Sequence, residues 1–311
     1  MNWSQSILTF ISFISLTTSV YADSSIDFTD TSTETLIPQK PPRQSPFTFS
    51  IDLDWVSPTK IKKGFFKGDT LKFAEADAEL GFIFLYHPQY KEGANLVIGY
   101  TETLLDWPGN LWFSQNHFHT VSLSLGGFSE RLCRWFWRGQ ITVNMDTSEW
   151  QSNYMNYDFL LWGRYEYSSN FGLHVGLFAQ AGMYMERVYP ILGIDWQASD
   201  KWKINLVFPV NVSIEYCLNS RWTLLLAGRN FDSRHRVKRT HCERDSQPVW
   251  RYQNVGAEFA VKYVRDNMKV NVHAGSTLGG QLRIANHRNQ HPHHFKLNPS
   301  LYAGADVSTN F

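Results

Sequence analysis

Charge, cysteine and long apolar runs are all scarce in this 311-residue sequence. Charged residues make up 18% of the chain, below the roughly 25% usual in soluble domains. The 29 basic residues nearly balance the 28 acidic ones, which argues against a nucleic-acid-binding protein because such proteins carry a basic excess. After residue 22, no run approaches the roughly 18 apolar residues of a spanning helix. A bundle of transmembrane helices is therefore excluded.

Aromatic residues are abundant instead, at 15% of the chain with 12 tryptophans, which excludes a wholly disordered protein. The dominant pattern is an alternation of apolar and polar residues. In one segment Phe49, Ile51 and Leu53 alternate with Ser50 and Asp52. Successive side chains of a β-strand point to opposite faces, so each such segment predicts a strand with one apolar and one polar face.

The N-terminal region predicts export. Residues 1–22 contain an apolar stretch from Ile7 to Val20 and end on the small residue Ala22, as in a secretory signal peptide. A short buried helix or a membrane anchor is the alternative. Residues 23–46 are polar and contain proline, which is typical of a flexible leader. Residues 47–311 are predicted to form one folded domain.

The connections between the predicted strands are sorted by length. Short polar turns at 168–170, 199–200 and 265–267 alternate with longer connections such as 232–248 and 279–296. The sequence therefore predicts an all-β fold, a closed antiparallel transmembrane β-barrel of about 14 strands (12–16) with short periplasmic turns and longer extracellular loops. A tight connection at Phe208-Pro209-Val210 falls on the loop side and leaves the count open by two strands. The architectural alternative is a secreted soluble β-protein.

Two of the predicted strands carry charges on their polar faces, which a closed barrel turns toward its lumen. These predicted lumen charges are Glu75, Asp77, Glu79, Arg164 and Glu166. An Arg or Lys that faced hydrocarbon would cost on the order of 2–4 kcal/mol. These charged residues either belong to a solvated lumen wall or form a charged constriction that selects ions.

The C-terminal segment carries a resemblance to a known class of protein. The chain stops on Phe311, after the alternating apolar residues Leu301, Ala303, Ala305 and Val307. This segment resembles the last strand of Gram-negative outer-membrane β-barrel proteins, and the stretch 189–196 is similar to an uncharacterised family of such barrels. The resemblance implies a bacterial outer-membrane location, contact with the lipid bilayer and lipopolysaccharide, and recognition of Phe311 by the barrel-assembly machinery. It implies no catalytic residue.

A basic segment lies in the longest predicted loop. Its candidate anion-binding residues are Arg234, Arg236, Lys238, Arg239 and Arg244. At a cell surface they would lie beside lipopolysaccharide, where they could bind lipid phosphates or a polyanion such as a sulfated glycan. The alternative is a solvated loop with no dedicated ligand.

Four histidines lie close together in another predicted loop, at His287, His291, His293 and His294. Neighbouring imidazoles can share a zinc or nickel ion. No carboxylate or cysteine completes a motif of fixed spacing, so these residues are only weak candidates for a metal site. No cofactor is predicted.

The chain has 3 cysteines, and an odd count in an oxidising compartment predicts a thiol free for intermolecular pairing. Cys133 and Cys217 both fall near predicted turns, and whether they pair is left open. Cys242 lies in the basic segment beside His241, where neighbouring positive charge favours the thiolate. The hypothesis is therefore that Cys242 forms a disulfide cross-link to a partner or to a second copy of the protein.

Three functions remain open at this stage. Polar inward faces favour a passive channel for small polar solutes. The basic segment and Cys242 favour a structural or surface-interaction protein of the adhesin type. A rim hydrolase is the third hypothesis, but no set of nucleophile, base and orienting residue is recognisable, so the protein is predicted not to be an enzyme.

Overall fold

The computed structural model describes residues 46–147, 155–183, 185–238, 241, 247–286 and 288–311. The regular structure consists of strands: β1 (Phe47–Lys60), β2 (Thr70–His87), β3 (Glu92–Asp106), β4 (His117–Ser129), β5 (Trp135–Asp146), β6 (Asn156–Ser168), β7 (Phe171–Gly182), β8 (Met185–Gln197), β9 (Trp202–Phe208), β10 (Asn211–Cys217), β11 (Trp222–Arg236), β12 (Val249–Arg265), β13 (Met268–Thr277), β14 (Gln281–Ala285), β15 (His293–Lys296) and β16 (Leu301–Asn310). In this part of the chain, no helix is long and apolar enough to cross a membrane.

The strands pair into an antiparallel ring. Each strand from β1 to β12 pairs with the next in the chain, and β16 completes the circle by pairing with both β1 and β13. Strands β14 and β15 extend this ring, because β12 pairs first with β13 over Gly256–Arg265 and then with β14 over Val249–Gln253. The ring has 14 strands, which confirms the predicted closed antiparallel barrel.

The two ends of the barrel differ. One end, here called the turn end, holds the connections 88–91, 130–134, 169–170, 198–201, 218–221 and 266–267. Phe47 and Phe311 also meet at the turn end, where their backbones exchange hydrogen bonds of 3.3 and 3.0 Å. The opposite end, here called the loop end, holds longer connections such as 61–69, 107–116 and 237–248.

At the loop end the predicted tight connection is confirmed, and two predicted loops need correction. The Phe208-Pro209 connection joins β9 and β10, which have only 7 residues each, and this short hairpin is already part of the 14 strands. The predicted loop 232–248 begins later, because β11 continues to Arg236. The predicted loop 279–296 contains the paired strands β14 and β15. Residues 232–236 of β11 are all polar or charged, and β14 and β15 have only 5 and 4 residues, so the alternation of apolar and polar residues does not reveal these strands.

The outer surface of the ring is apolar, as the alternation predicts. A large apolar side chain, at least a third exposed, projects outward from every ring strand, and together these residues define the outer apolar belt: Phe49, Leu80, Ile98, Leu123, Ile141, Phe159, Val175, Leu192, Leu206, Ile214, Leu226, Phe259, Val272 and Val307. The cross-strand register places the neighbouring belt residues on the same face.

Strand β11 leaves the wall of the barrel halfway along its length. It pairs with β10 only over Thr223–Ala227, because β10 is too short to follow it further. The remainder, Gly228–Arg236, pairs with β12 alone and is here called the inner segment. Its His235 lies 3.0 Å from Thr103 on β3, while its Arg234 contacts Asn156 on β6. The inner segment therefore lies inside the barrel, between these two strands.

Candidate functional site in the barrel lumen

An apolar cluster fills the space between the inner segment and strands β1–β4. Phe73 on β2 stacks on Tyr252 of β12 with ring centroids 4.1 Å apart, and Phe118 on β4 meets Trp250 of β12 at 4.9 Å. These strands are not neighbours in the ring, so both contacts cross the lumen. Trp250 and Tyr252 are completely buried. Aromatic side chains in such close contact leave no room for water between them. They therefore close the loop end of the lumen beside β1–β4.

A charged cluster lies deeper in the lumen and joins the inner segment to β1. Arg229 donates to Asp52 at 2.9 Å and to Asp54 at 2.6 Å. Glu258 on β12 is 3.9 Å from the same guanidinium, and His273 on β13 lies 2.8 Å from Asp54. Buried charges of this kind persist only when they are paired and hydrogen-bonded. Arg229 is therefore a charged crossbar between β11 and the opposite wall.

The other face of the inner segment is polar and turns toward β6, where Arg234 contacts Asn156. The register places Arg234 opposite Arg251 and Arg251 opposite Arg283, so three arginines form a row across β11, β12 and β14. Arg251 is almost fully buried and forms an ion pair with Asp232. The inner segment thus separates an apolar compartment from a polar one.

The lumen wall formed by β2–β7 is polar along much of its length. Thr101 donates to Asp77 at 2.5 Å, Ser124 and Thr142 lie 2.7 Å apart, and Asn144 donates to Asp158 at 2.7 Å. Hydroxyl, amide and carboxylate groups on neighbouring strands can hydrogen-bond a passing solute as well as one another. This wall, here called the polar wall, is the part of the lumen suited to polar solutes.

A second charged group lies on the inner face of β6–β8. Arg164 binds Asp195 through two hydrogen bonds of 2.7 and 2.8 Å. His174 also lies 2.7 Å from Asp195, through Nε2, and its Nδ1 receives a hydrogen bond of 3.1 Å from the indole of Trp162. Because the indole can only donate, Nδ1 accepts and Nε2 carries the proton. Both nitrogens of His174 are engaged, which favours a structural role over that of a general base.

The predicted lumen charges occupy different environments. Glu75 accepts hydrogen bonds from Thr103 and from Ser233 of the inner segment. Asp77 belongs to the polar wall, and Glu79 lies beside it on the same face of β2. Arg164 also faces inward, toward Asp195, as just described. Glu166 is exposed at the turn end.

The candidate anion-binding residues are not brought together in one exposed loop. Arg234 and Arg236 belong to β11, and Arg236 is buried. Lys238 follows the strand, and its backbone N–H donates to Gln115 at 2.8 Å. Arg239, Arg244 and Cys242 lie outside the described residues. Burial of Arg236 in β11 contradicts the idea that these cations form a single solvated loop.

The histidine and cysteine candidates do not converge. His293 and His294 are adjacent residues of β15, His291 precedes them, and His287 lies outside the described residues. Within the described ranges, no three metal-ligating side chains are placed to hold an ion. Cys133 is exposed at the turn end and Cys217 ends β10, and both are free thiols.

Arg229 and His273 were missed as functional candidates by sequence reasoning. Asp52 and Asp54 alternate with apolar residues on β1, which predicts that both face the lumen. Their partner Arg229 is more than 170 residues away in the chain. An arginine on the polar face of a predicted strand was a usable signal, but only the closed ring shows which carboxylates it meets.

A closed antiparallel ring that is apolar outside and polar inside defines the class of protein: a β-barrel of the kind that spans membranes. A family model described as "Domain of unknown function (DUF6268)" matches residues 136–310. This match covers more than half of the chain, and the protein belongs to this family.

Relatives and structural neighbours are distant. An uncharacterised protein of Chlamydia pneumoniae is 24% identical over 288 residues, covering 87% of this chain and 88% of its own length. An uncharacterised protein of Chlamydia trachomatis serovar D is 23% identical over 212 residues, covering 68% and 67%. Among solved structures, an outer-membrane channel of Pseudomonas putida F1 aligns with a TM-score of 0.46 at 6% identity, over 88% of this chain and all of its own. The toluene transporter TodX of Pseudomonas putida aligns with a TM-score of 0.39 at 10% identity, over 87% and 90%.

Proposed function

We propose that the protein is a bacterial outer-membrane channel for small polar solutes, with its lumen narrowed by the inner segment of β11. One observation carries the proposal: every ring strand presents an apolar side chain outward, while the polar wall lines the inside. A closed ring satisfies all backbone hydrogen bonds in a bilayer that offers no partners. The polar wall then supplies a path that hydrocarbon cannot.

The membrane location brings further expectations. Residues 1–22 act as the export signal. The outer apolar belt contacts the lipid bilayer, and the loop end reaches the lipopolysaccharide side. The turn end, where both ends of the ring meet, faces the periplasm.

Conductance tests the channel. Mature protein (residues 23–311), refolded and inserted in a planar bilayer, is expected to give small, stable current steps that scale with salt. Neutralising the polar wall by Asp77→Asn with Glu79→Gln is expected to lower the preference for cations, because two lumen carboxylates are lost. The matched control is Asp266→Asn, whose side chain is 89% exposed in a turn and which should leave selectivity unchanged. Absence of current from both the folded wild-type protein and an Arg229→Met variant would contradict the proposal that the protein is a channel.

The assembly machinery is expected to recognise Phe311. Its ring stacks on Phe47, with centroids 6.0 Å apart, and Phe47 stacks on Phe82 at 4.9 Å. Replacing Phe311 with Ser is expected to reduce several-fold the amount of folded protein in the outer membrane, measured as the heat-modifiable fraction after cell fractionation. Phe84→Ser, another exposed aromatic change on the outer surface, is the control. Equal losses in both variants would remove any special role of the terminal residue.

A surface-interaction role is the second candidate function. The observation that favours it is the concentration of exposed lysines at the loop end, in the β1–β2 connection, rather than the arginines of β11. This role is compatible with a channel, because the lysines lie outside the lumen wall.

A further inference from the structure

The connection 61–69 between β1 and β2, here called the lysine loop, exposes a large aromatic ring. The side chain of Phe65 is 92% exposed, more than any other large apolar residue reported for the described part of the chain. The next residue, Phe66, turns inward and packs against Trp107, Trp112 and Phe295 with centroid distances of 5.1, 5.7 and 5.8 Å. The loop is therefore anchored on the apolar cluster by one ring while it presents the other to the outside.

The backbone holds the lysine loop in this form. Gly64 and Gly68 adopt φ angles of 93° and 96°, a region that residues with a side chain rarely occupy. The N–H of Lys67 donates to the carbonyl of Gly64 at 3.1 Å, and that of Gly68 donates to Ile61 at 3.0 Å. Because the loop is bonded within itself, little further ordering is required for Phe65 to contact a partner.

Exposed lysines lie on both sides of Phe65 in the chain. Lys60, Lys62, Lys63 and Lys67 are all exposed, and Lys296 of β15 joins them because its carbonyl accepts a hydrogen bond of 2.8 Å from the N–H of Lys62. None of these five ammonium groups forms an ion pair with another described residue. The carboxylate of Asp69, within the loop, accepts a hydrogen bond from the indole of Trp107 at 3.2 Å.

One lysine of the turn end shows the contrasting case. There Lys91 lies 2.8 Å from Glu130, and this hydrogen bond raises the pKa of Lys91 above its ordinary value. A paired ammonium has a carboxylate to interact with already. The five lysines in and beside the lysine loop keep their charge available for a partner, whereas Lys72 of β2 at the same end is paired with Asp106 at 2.9 Å.

From these observations, we propose that the lysine loop docks on the anionic headgroups of a lipid bilayer that lies opposite the loop end. Lysines attract the phosphates of such a surface, and each contributes roughly fivefold to its affinity. An aromatic ring set among them can enter the boundary between headgroups and acyl chains. The combination fits an anionic amphiphile, whereas a polyanionic glycan would need the lysines but no inserted apolar ring. The proposal does not require the barrel to conduct.

Vesicle flotation tests the docking surface. The barrel is placed in nanodiscs of phosphatidylcholine and mixed with vesicles of phosphatidylcholine, with or without phosphatidylglycerol. Wild-type discs are expected to float with the anionic vesicles only, and less so at high salt because screening weakens the attraction. The triple variant Lys62→Ser, Lys63→Ser, Lys67→Ser is expected to lose binding about a hundredfold, and Phe65→Ser about tenfold.

Matched changes at the opposite end are the controls. Lys201→Ser and Leu132→Ser alter an exposed lysine and an exposed apolar residue of the turn end, and both are expected to bind as the wild type does. Three results would overturn the proposal: no flotation of the wild type, equal flotation of Phe65→Ser and wild type, or binding to heparin without binding to anionic vesicles. Protein that conducts but does not float would support the proposed channel and overturn the docking proposal. Protein that floats but does not conduct would do the opposite.

Discussion

Replacing Arg229 with Met is expected to raise single-channel conductance several-fold. Arg229 is the crossbar that ties the inner segment to Asp52 and Asp54 on β1. Without it, two neighbouring carboxylates remain in the lumen and repel each other. Removing one partner of a fully buried ion pair typically costs about 3–5 kcal/mol, and the cost here is smaller because the side chain of Arg229 is 18% exposed. We expect this loss to shift β11 away from β1 and widen the path along the polar wall.

Two further variants separate a moved strand from general damage. Neutralising the partners by Asp52→Asn with Asp54→Asn is expected to raise conductance in the same direction. Arg265→Met, an exposed arginine at the turn end, should change nothing. Unchanged conductance in a folded Arg229→Met barrel would mean that the crossbar does not restrict the lumen.

A disulfide lock tests the movement directly. His235 and Thr103 touch across the lumen through the far end of the histidine ring, with side-chain atoms 3.0 Å apart, so Cys at both positions can be joined by a short bis-methanethiosulfonate cross-linker that replaces the length of the ring and forms a disulfide with each Cys. In an Arg229→Met background without the native cysteines, the cross-linked protein is expected to hold conductance at the wild-type level, and reduction should release it. Equal currents before and after reduction would contradict a moving inner segment.

Replacing Trp250 with Ala is expected to lower the free energy of unfolding by about 3–5 kcal/mol, as large-to-small changes in packed cores do. Trp250 is completely buried between Phe118 and His235, with ring centroids 4.9 Å from each. Losing its ring leaves a cavity at the point where the inner segment packs on the wall. The measurement is urea unfolding of the refolded barrel in detergent micelles, followed by tryptophan fluorescence and heat-modifiability.

Trp196→Ala is the matched control, because Trp196 projects from the outer face of β8 and is 45% exposed. Its loss is expected to cost much less in the same assay. Similar costs for Trp196 and Trp250 would show that the apolar cluster contributes nothing special to stability. A lower free energy of unfolding for Trp250→Ala together with raised conductance would connect the apolar cluster to the same movement as Arg229.

Most of the barrel wall could be predicted from local patterns. Residues such as Phe49, Ile51 and Leu53 alternate with polar neighbours, and alternation is a property of each strand alone. The sorted turns at 169–170 and 266–267 indicate which strand ends share a rim. The strand count follows from these two signals, and the short strands β9 and β10, joined at Phe208-Pro209, are included in it.

The inner segment could not be predicted in the same way. Its alternation mixes Phe231 and His235 with Ser233 on one face, and Asp232 with Arg234 on the other, so neither face is clearly apolar. Such a pattern is typical of a loop. Whether such a strand stays in the wall depends on its neighbour β10, which ends too early to hold it.

The sequence alone determined the class of fold, because strand periodicity and turn chemistry are local and need no partner to be recognised. For the strands of the outer apolar belt it also indicated which side chains share a face, since that follows from the period of two. Only the tertiary structure decided what lies inside. Arg229 meets Asp52, and Phe73 meets Tyr252, across distances along the chain that no local pattern encodes, because such contacts exist only once the ring has closed.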